Sequence, residues 1–153
     1  MTSPVAFTLD AATAPKIAEH LERCDRGFVP PLSTRTDIDR YARKIRDQAT
    51  SFEAWADGKL VGLVAAYFND EARRVAYVSN VSVEADYRRT GIGSDLMARC
   101  IQQAIERGFD GIELEVDATN LNAIALYLKH GFTMEVAPGR TPVMRLETGR
   151  GQA

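Results

Sequence analysis

Cysteine and histidine are scarce, two of each in 153 residues. The two histidines and the two scattered cysteines, Cys24 and Cys100, make no metal-ligand spacing, so no metal is expected. Nothing requires a disulfide between them either, and both thiols read as reduced core residues of a cytoplasmic protein. An excess of charge of one sign is also missing. Nineteen Lys and Arg against 21 Asp and Glu leave a net charge of −2. That offers no basic surface for nucleic acid and no charge run for a membrane. Long apolar runs are absent, and with them any membrane span. The start, MTSPVAFTLDAATAPKIAEH, lacks both the basic and the apolar region of a secretion signal. Internal repeats and low-complexity stretches are missing too.

What remains is an ordinary globular composition, 45% hydrophobic and 26% charged. One domain over 1–153 is expected, with a frayed tail at 148–153. A chain of this size buries about 70% of its unfolded surface and needs no staples. Pro4–Leu9 reads as a strand and Ala14–Arg26 as a helix with Ile17, Leu21 and Cys24 on one face. Pro30 and Pro31 break that helix. A second helix runs from about Asp37, a candidate N-cap, to Ala49. SFEAWA and KLVGLVAAYF flank Asp57-Gly58, a hairpin signal, and RVAYVSNVSV is the third strand of a meander. Ser94–Arg107 is amphipathic and stops at Gly108. GIELEV, a short helix from Asn122 to Lys129, FTMEV and TPVMRLE complete the chain. The order β-α-α-β-β-β-α-β-α-β-β predicts an α/β (α+β) fold. Its mixed, mostly antiparallel sheet of six to seven strands has helices on both faces. One parallel crossover joins Val75–Val83 to the strand that ends at Val116.

Between the third strand and the amphipathic helix lies RRTGIG, Arg88 to Gly93. Taken alone, Gly91 and Gly93 fit a tight turn. The loop opens a helix, however, so its free N–H groups and the helix dipole can hold an anion. Glycines let a phosphate reach the backbone, and Arg88 and Arg89 add charge at the rim. A Walker loop is excluded because Ser94 and Asp95, not Lys and Ser/Thr, follow Gly93. A dinucleotide fingerprint needs a third glycine where Leu96 stands, and a leading parallel βαβ unit.

The pattern Arg88-x-x-Gly91-x-Gly93 after VSNVSV resembles the acetyl-CoA loop of the GNAT N-acetyltransferases. Downstream, LEVDATNLNAIALYLKHGF, Leu114 to Phe132, is similar to the second half of that family's core, with its Asn-x-x-Ala, Leu-Tyr and Gly-Phe elements. The resemblance implies acetyl-CoA as co-substrate and transfer to a primary amine by direct attack on the thioester. Backbone groups of Val81, Ser82 and Val83 would pair with the pantetheine arm, and the Val81 N–H would serve as oxyanion donor. The N–H groups of Arg89, Thr90, Gly91, Ile92, Gly93 and Ser94 would hold the pyrophosphate, with Arg88 at the rim. Asn120 falls on a position that contacts the cofactor near its reactive end; it also reads as a helix cap. Tyr127 falls on the general-acid position, although its residue type and spacing also suit a half-buried helix residue. Glu115 matches the base of members that act on peptide α-amines and equally reads as an exposed strand acid or ion-pair partner. A water chain is the alternative base.

The motifs leave the acceptor open. FVPPLSTRTDIDRYARKI followed by YFND resembles family members associated with surface-glycan synthesis, which makes a small-molecule amine such as an amino sugar the first expectation. A protein N-terminal α-amine, implied by LEV…N…LY, comes second. A non-catalytic acyl-CoA-binding sensor is the reading from another class. Family resemblance also implies a homodimer as one arrangement.

Overall fold

The computed structural model describes residues 4–149. Its regular elements follow the expected order: β1 (Ala6–Leu9), α1 (Ala14–Cys24), α2 (Ile38–Gln48), β2 (Thr50–Ala56), β3 (Lys59–Tyr67), β4 (Val75–Val83), α3 (Ile92–Glu106), β5 (Gly111–Glu115), α4 (Leu121–Lys129), β6 (Thr133–Glu135) and β7 (Val143–Glu147). The strands form one sheet in the order β1-β2-β3-β4-β5-β7-β6. Every neighbouring pair is antiparallel except β4 and β5.

Of the four α-helices among the described residues, three start where a side chain caps them; α3, which follows Gly91, has no such cap. Thr13 accepts from the Lys16 N–H, Asp37 from Arg40 and Asn120 from Ala123. Asp57 and Gly58, at φ 52° and 75°, make the tight β2–β3 turn. Two boundaries shift from expectation. The first helix ends at Cys24, and Asp25–Gly27 tightens into a 3₁₀ turn. The helix after the glycine loop begins at Ile92 rather than Ser94, because Gly91 at φ 87° turns the chain straight into it. Thr148 and Gly149, where a frayed tail is expected to begin, donate to the Asp110 carbonyl; 150–153 lie outside the described residues.

Helices cover both faces of the sheet. On one, Ile17 and Leu21 of α1 and Ala42 and Ile45 of α2 pack on Leu60, Leu63 and Ala65 of β3. On the other, Leu96, Met97 and Cys100 of α3 and Tyr127 of α4 pack on Val64, Val78, Ile112 and Leu114. β3 is therefore buried on both faces, which explains its unbroken apolar run. Gly62 is required at the contact with α3: a Cβ there would lie 2.7 Å from Ile92 Cγ2. A buried carboxylate ties the N-terminal strand down. Glu53 is fully buried and accepts from Thr8 Oγ1 at 2.7 Å and from the Ala11 and Ala12 N–H groups, each at 2.9 Å.

The sheet opens at its centre. β4 is bulged: Ala66 faces Val78 but Ala65 faces Asn80, so Ser79 has no partner on β3. On the other side β4 pairs with β5 from Val75↔Gly111 to Val78↔Leu114, and there the pairing stops. Past that point the two strands part, and each presents an edge to a gap inside the sheet.

Candidate active site

The open edge of β4 can be read from its backbone bonds. The Glu84 N–H donates to the Val61 carbonyl, on the β3 side. Since N–H and C=O directions alternate along a strand, Ser82 also faces β3, whereas Val81 and Val83 face the gap. On the gap side, Arg88 Nε donates to the Val83 carbonyl at 3.2 Å. Of the three residues expected to meet a pantetheine arm, Val81 thus turns both its backbone groups to the gap, and Val83 turns its N–H there while its carbonyl is taken by Arg88. Ser82 spends its own on the ladder and turns its side chain toward α1.

Beyond the strand, a 3₁₀ turn at Ala85–Tyr87 leads into the glycine loop. Arg89 sits at φ 64°, an uncommon angle for a residue with a side chain, and Gly91 follows at 87°. The Asp95 N–H makes the first bond back into the helix, to the Gly91 carbonyl. Among the described residues, no bond within the chain takes up the N–H groups from Arg89 to Ser94. They form a run of free donors at the start of α3, the geometry that binds a phosphate. Side chains in the loop have other partners: Thr90 Oγ1 donates to the Tyr87 carbonyl and Ser94 Oγ lies 3.0 Å from His130 Nε2. Arg88 lies against Gly27, where any Cβ would collide with its guanidinium.

A cavity of about 640 Å³ runs from this loop to the gap, between β4 and α4. A second, of about 380 Å³, lies on the far side of the gap against the α1–α2 connection, with Phe28, Pro30, Arg35 and Glu115 in its wall. The two share Val81, Asn120, Ala123 and Tyr127. The two cavities therefore meet where the free Val81 N–H, the Asn120 cap and the Tyr127 ring come together.

Tyr127 is 6% exposed and stacks at a tilt on Phe132, with ring centroids 5.9 Å apart. Burial alone pushes its pKa up to about 12, so the phenol stays protonated at neutral pH. The two strand carboxylates that point to the same sheet face differ in company. Glu113 is held by Arg145 at 2.8 Å and by Arg73 at 3.1 Å, which, against a partial desolvation, hold its carboxyl below the usual range. Glu115 is exposed on the wall of the smaller cavity, with no ion pair among the described residues. Asp117 lies on the same wall, its carboxyl lowered by hydrogen bonds from Thr119. Phe28, Pro30 and Arg35 lie in the FVPPLSTRT stretch and Asp117 in LEVDATN, but neither stretch singled them or Thr141 out as site residues; the fold brings all five to this cavity. Cys100 is buried under α3 with its thiol pushed up to about 12, as befits a core residue. Among the described residues no cluster of three or more His, Cys, Asp or Glu could hold a metal, and no helix is long and apolar enough to cross a membrane.

Residues 14–132 match the model of the Acetyltransferase (GNAT) family. The chain is 32% identical over 116 residues to the [ribosomal protein bS18]-alanine N-acetyltransferase of Escherichia coli K12, covering 75% of this chain and 72% of the relative. The solved structure of the Escherichia coli ribosomal-protein-S18-alanine N-acetyltransferase superposes with a TM-score of 0.73 at 24% identity, over 94% of this chain and 95% of the other. N-alpha-acetyltransferase MAK3 of Arabidopsis thaliana is 34% identical over 82 residues, 53% of this chain and 43% of its own length. The chain spans a similar share, 40%, of an uncharacterized N-acetyltransferase of Methanocaldococcus jannaschii. The fold is also that of the PaiA N-acetyltransferase of Thermoplasma acidophilum, solved in complex with coenzyme A, with a TM-score of 0.68 at 15% identity over 93% of this chain and 99% of that one.

Proposed function

The chain belongs to the GNAT acetyltransferase family, and from that premise we propose that it acetylates a primary amine, the α-amine of a peptide or protein N-terminus, using acetyl-CoA. The observation that carries the reading is the meeting of two cavities at Val81 and Tyr127. One has the free donors and the strand edge that suit a pyrophosphate and a pantetheine arm; the other opens toward an acceptor. Bound acetyl-CoA would supply an activated acyl thioester.

The residues divide the work by position. The N–H groups from Arg89 to Ser94 hold the pyrophosphate, and the Val81 and Val83 edge aligns the arm. The Val81 N–H donates to the carbonyl oxygen as charge gathers on it. Glu115 takes a proton from the attacking ammonium, directly or through water, and with Asp117 makes the acceptor wall attractive to a cation. Tyr127 gives its proton to the departing sulfur and takes back the second proton that the nitrogen sheds as the amide forms; held at about 12, the phenol is loaded at neutral pH.

The α-amine acceptor is supported by the acceptors for which the Escherichia coli and Arabidopsis relatives are named, and by the lack of an ion pair to Glu115 among the described residues. A small amine such as an amino sugar is the second reading, favoured by the hydrogen-bonding groups of Arg35, Ser79, Asn80, Asp117 and Thr141 around the smaller cavity. An acceptor panel of alanine-initiated peptides, glucosamine and simple alkylamines, followed by thiol release, separates them. Turnover on the peptides and loss of it in Tyr127→Phe are expected. Tight coenzyme A binding with no turnover on any amine would overturn the enzymatic reading in favour of a sensor.

A further inference from the structure

Outside this machinery, α1 carries a buried titratable side chain that reaches the reacting strand. His20 has no exposed surface. Its Nδ1 lies 2.9 Å from the Leu60 carbonyl and its Nε2 2.8 Å from Ser82 Oγ. Ser82 Oγ in turn lies 2.8 Å from the side-chain amide of Asn80. Asn80 and Ser82 bracket Val81, so a helix on the closed face of the sheet grips the strand on both sides of the free Val81 N–H.

The direction of these bonds follows from the protons available. A carbonyl only accepts, so His20 Nδ1 carries the hydrogen. Burial draws the ring pKa down to about 4, which leaves it neutral and makes Nε2 an acceptor. Ser82 has one hydroxyl proton and gives it to Nε2. Asn80 Oδ1 is the atom placed 2.8 Å from the same hydroxyl; turning the amide by 180° puts its NH₂ there instead, and that orientation lets Ser82 give its one proton to Nε2 while Nδ1 donates to Leu60. The chain of bonds has a single polarity, from Asn80 through Ser82 and His20 to Leu60.

The need for such a grip follows from the gap. Past Val78, β4 has β3 on one side and no strand on the other, and the Ser79 bulge loosens even that ladder. α1 adds a second hold nearby: Arg23 donates to the same Leu60 carbonyl at 3.0 Å and lies 3.5 Å from Glu84. That ion pair is too poorly aligned to count as a hydrogen bond, since Glu84 Oε2 has no hydrogen-bond partner among the described residues. The His20 chain is therefore the better-formed support of the segment.

We propose that His20 is a positioning residue: through Ser82 and Asn80 it fixes the bulged segment of β4 and so aims the Val81 N–H at the reacting oxygen. The inference rests on the reading of Val81 as oxyanion donor. It is tested with His20→Leu, Ser82→Ala and the double variant. Leu21→Ala, a buried change on the same helix, is the control for simple destabilisation. Each of the first two is expected to lower kcat about 10- to 50-fold while the coenzyme A Kd stays within about twofold, because the pyrophosphate loop is untouched. The double variant should be no worse than either single one, since both break one chain. His20→Gln, which keeps a polar group near Ser82, should recover part of kcat. In the ligand-free protein, amide hydrogen exchange at position 82, whose N–H faces the β3 ladder, should quicken in His20→Leu and Ser82→Ala but not in Leu21→Ala. Unchanged exchange at position 82 in the first two variants overturns the proposal, as does a kcat loss in Leu21→Ala as large as theirs. Should His20→Leu not fold, Ser82→Ala carries the same measurements. Absence of acetyl transfer by the unaltered protein would count against the enzymatic reading, while the exchange measurement would still decide the positioning.

Discussion

At the scale of single residues, burial and company separate groups that look alike in sequence. Tyr127 is a phenol whose proton is retained because its ring is enclosed, with burial pushing its pKa from the ordinary 10.0 up to about 12. A raised pKa keeps the acid form loaded as pH rises, so any fall in kcat/KM below about pH 10 must come from another group. Tyr127→Phe should lower the kcat plateau by roughly 10²-fold or more without moving the pH limbs; a shifted alkaline limb would assign that limb to Tyr127 after all. Glu113 and Glu115 share a sheet face but only Glu113 is neutralised, by Arg145 and Arg73. Glu115→Gln is expected to flatten the acidic limb and reduce kcat/KM by about 10²-fold, while Glu113→Gln leaves both within about twofold. Equal pH–rate profiles for the unaltered protein and Glu115→Gln would make water the base. Sequence could name both carboxylates; it could not tell which had partners, because Arg145 arrives from the last strand and Arg73 from a turn.

Among the elements, the junction of β4, the glycine loop and α3 was the most legible part of the chain. Its strand run, its glycines and the apolar stripe of α3 are local signals, and each survives in the structure with a shift of two residues at the helix start. Gly91→Ala forces a side chain into φ 87°, at a cost of about 1–2 kcal/mol, and disturbs the run of free N–H groups. Coenzyme A should bind it about 10-fold more weakly, measured by calorimetry, with the secondary structure intact. What sequence did not reveal depends on distant pairing. The insertion of β7 between β5 and β6 pairs residues far apart in the chain, and no local pattern encodes it. The bulge at Ser79 leaves only a faint mark, the adjacent polar pair Ser79-Asn80 that breaks the alternation of VSNVSV, and the register across β3 is what places it. Glu53 reads as a solvent-facing strand residue until β1 supplies one donor and the β1–α1 connection folds over it with two more. The wall of the smaller cavity is the extreme case, assembled from the α1–α2 connection, β4, β5 and the start of α4.

For the molecule as a whole, the two helix layers do different jobs: α3 and α4 pack on the face that carries the larger cavity, and α1 and α2 close the opposite face of β3 and β4. The closed layer leaves a signature in stability. His20 is neutral in the fold with a pKa of about 4, below its ordinary 6.5, because of burial and secondarily the Arg23 charge. The unfolded chain therefore takes up more protons between those values. Stability should be full above about pH 6.5 and fall by roughly 3 kcal/mol as pH drops through that window. His130, also lowered, adds in the same direction. Thermal melts from pH 4 to 7 should show a slope that is shallower in His20→Gln; an unchanged slope would place the acid sensitivity elsewhere. The interrupted β4–β5 pairing has a consequence for how the protein behaves in a tube. A strand with unspent hydrogen bonds is an invitation to any extended chain, including another copy of the same protein. Here that invitation is issued from inside the sheet, where an arm of amide-bearing substrate can accept it in place of a missing strand. Coenzyme A should then act as a folding partner as much as a reactant: light scattering on warming ought to fall, and the melting temperature to rise with its concentration, by mass action.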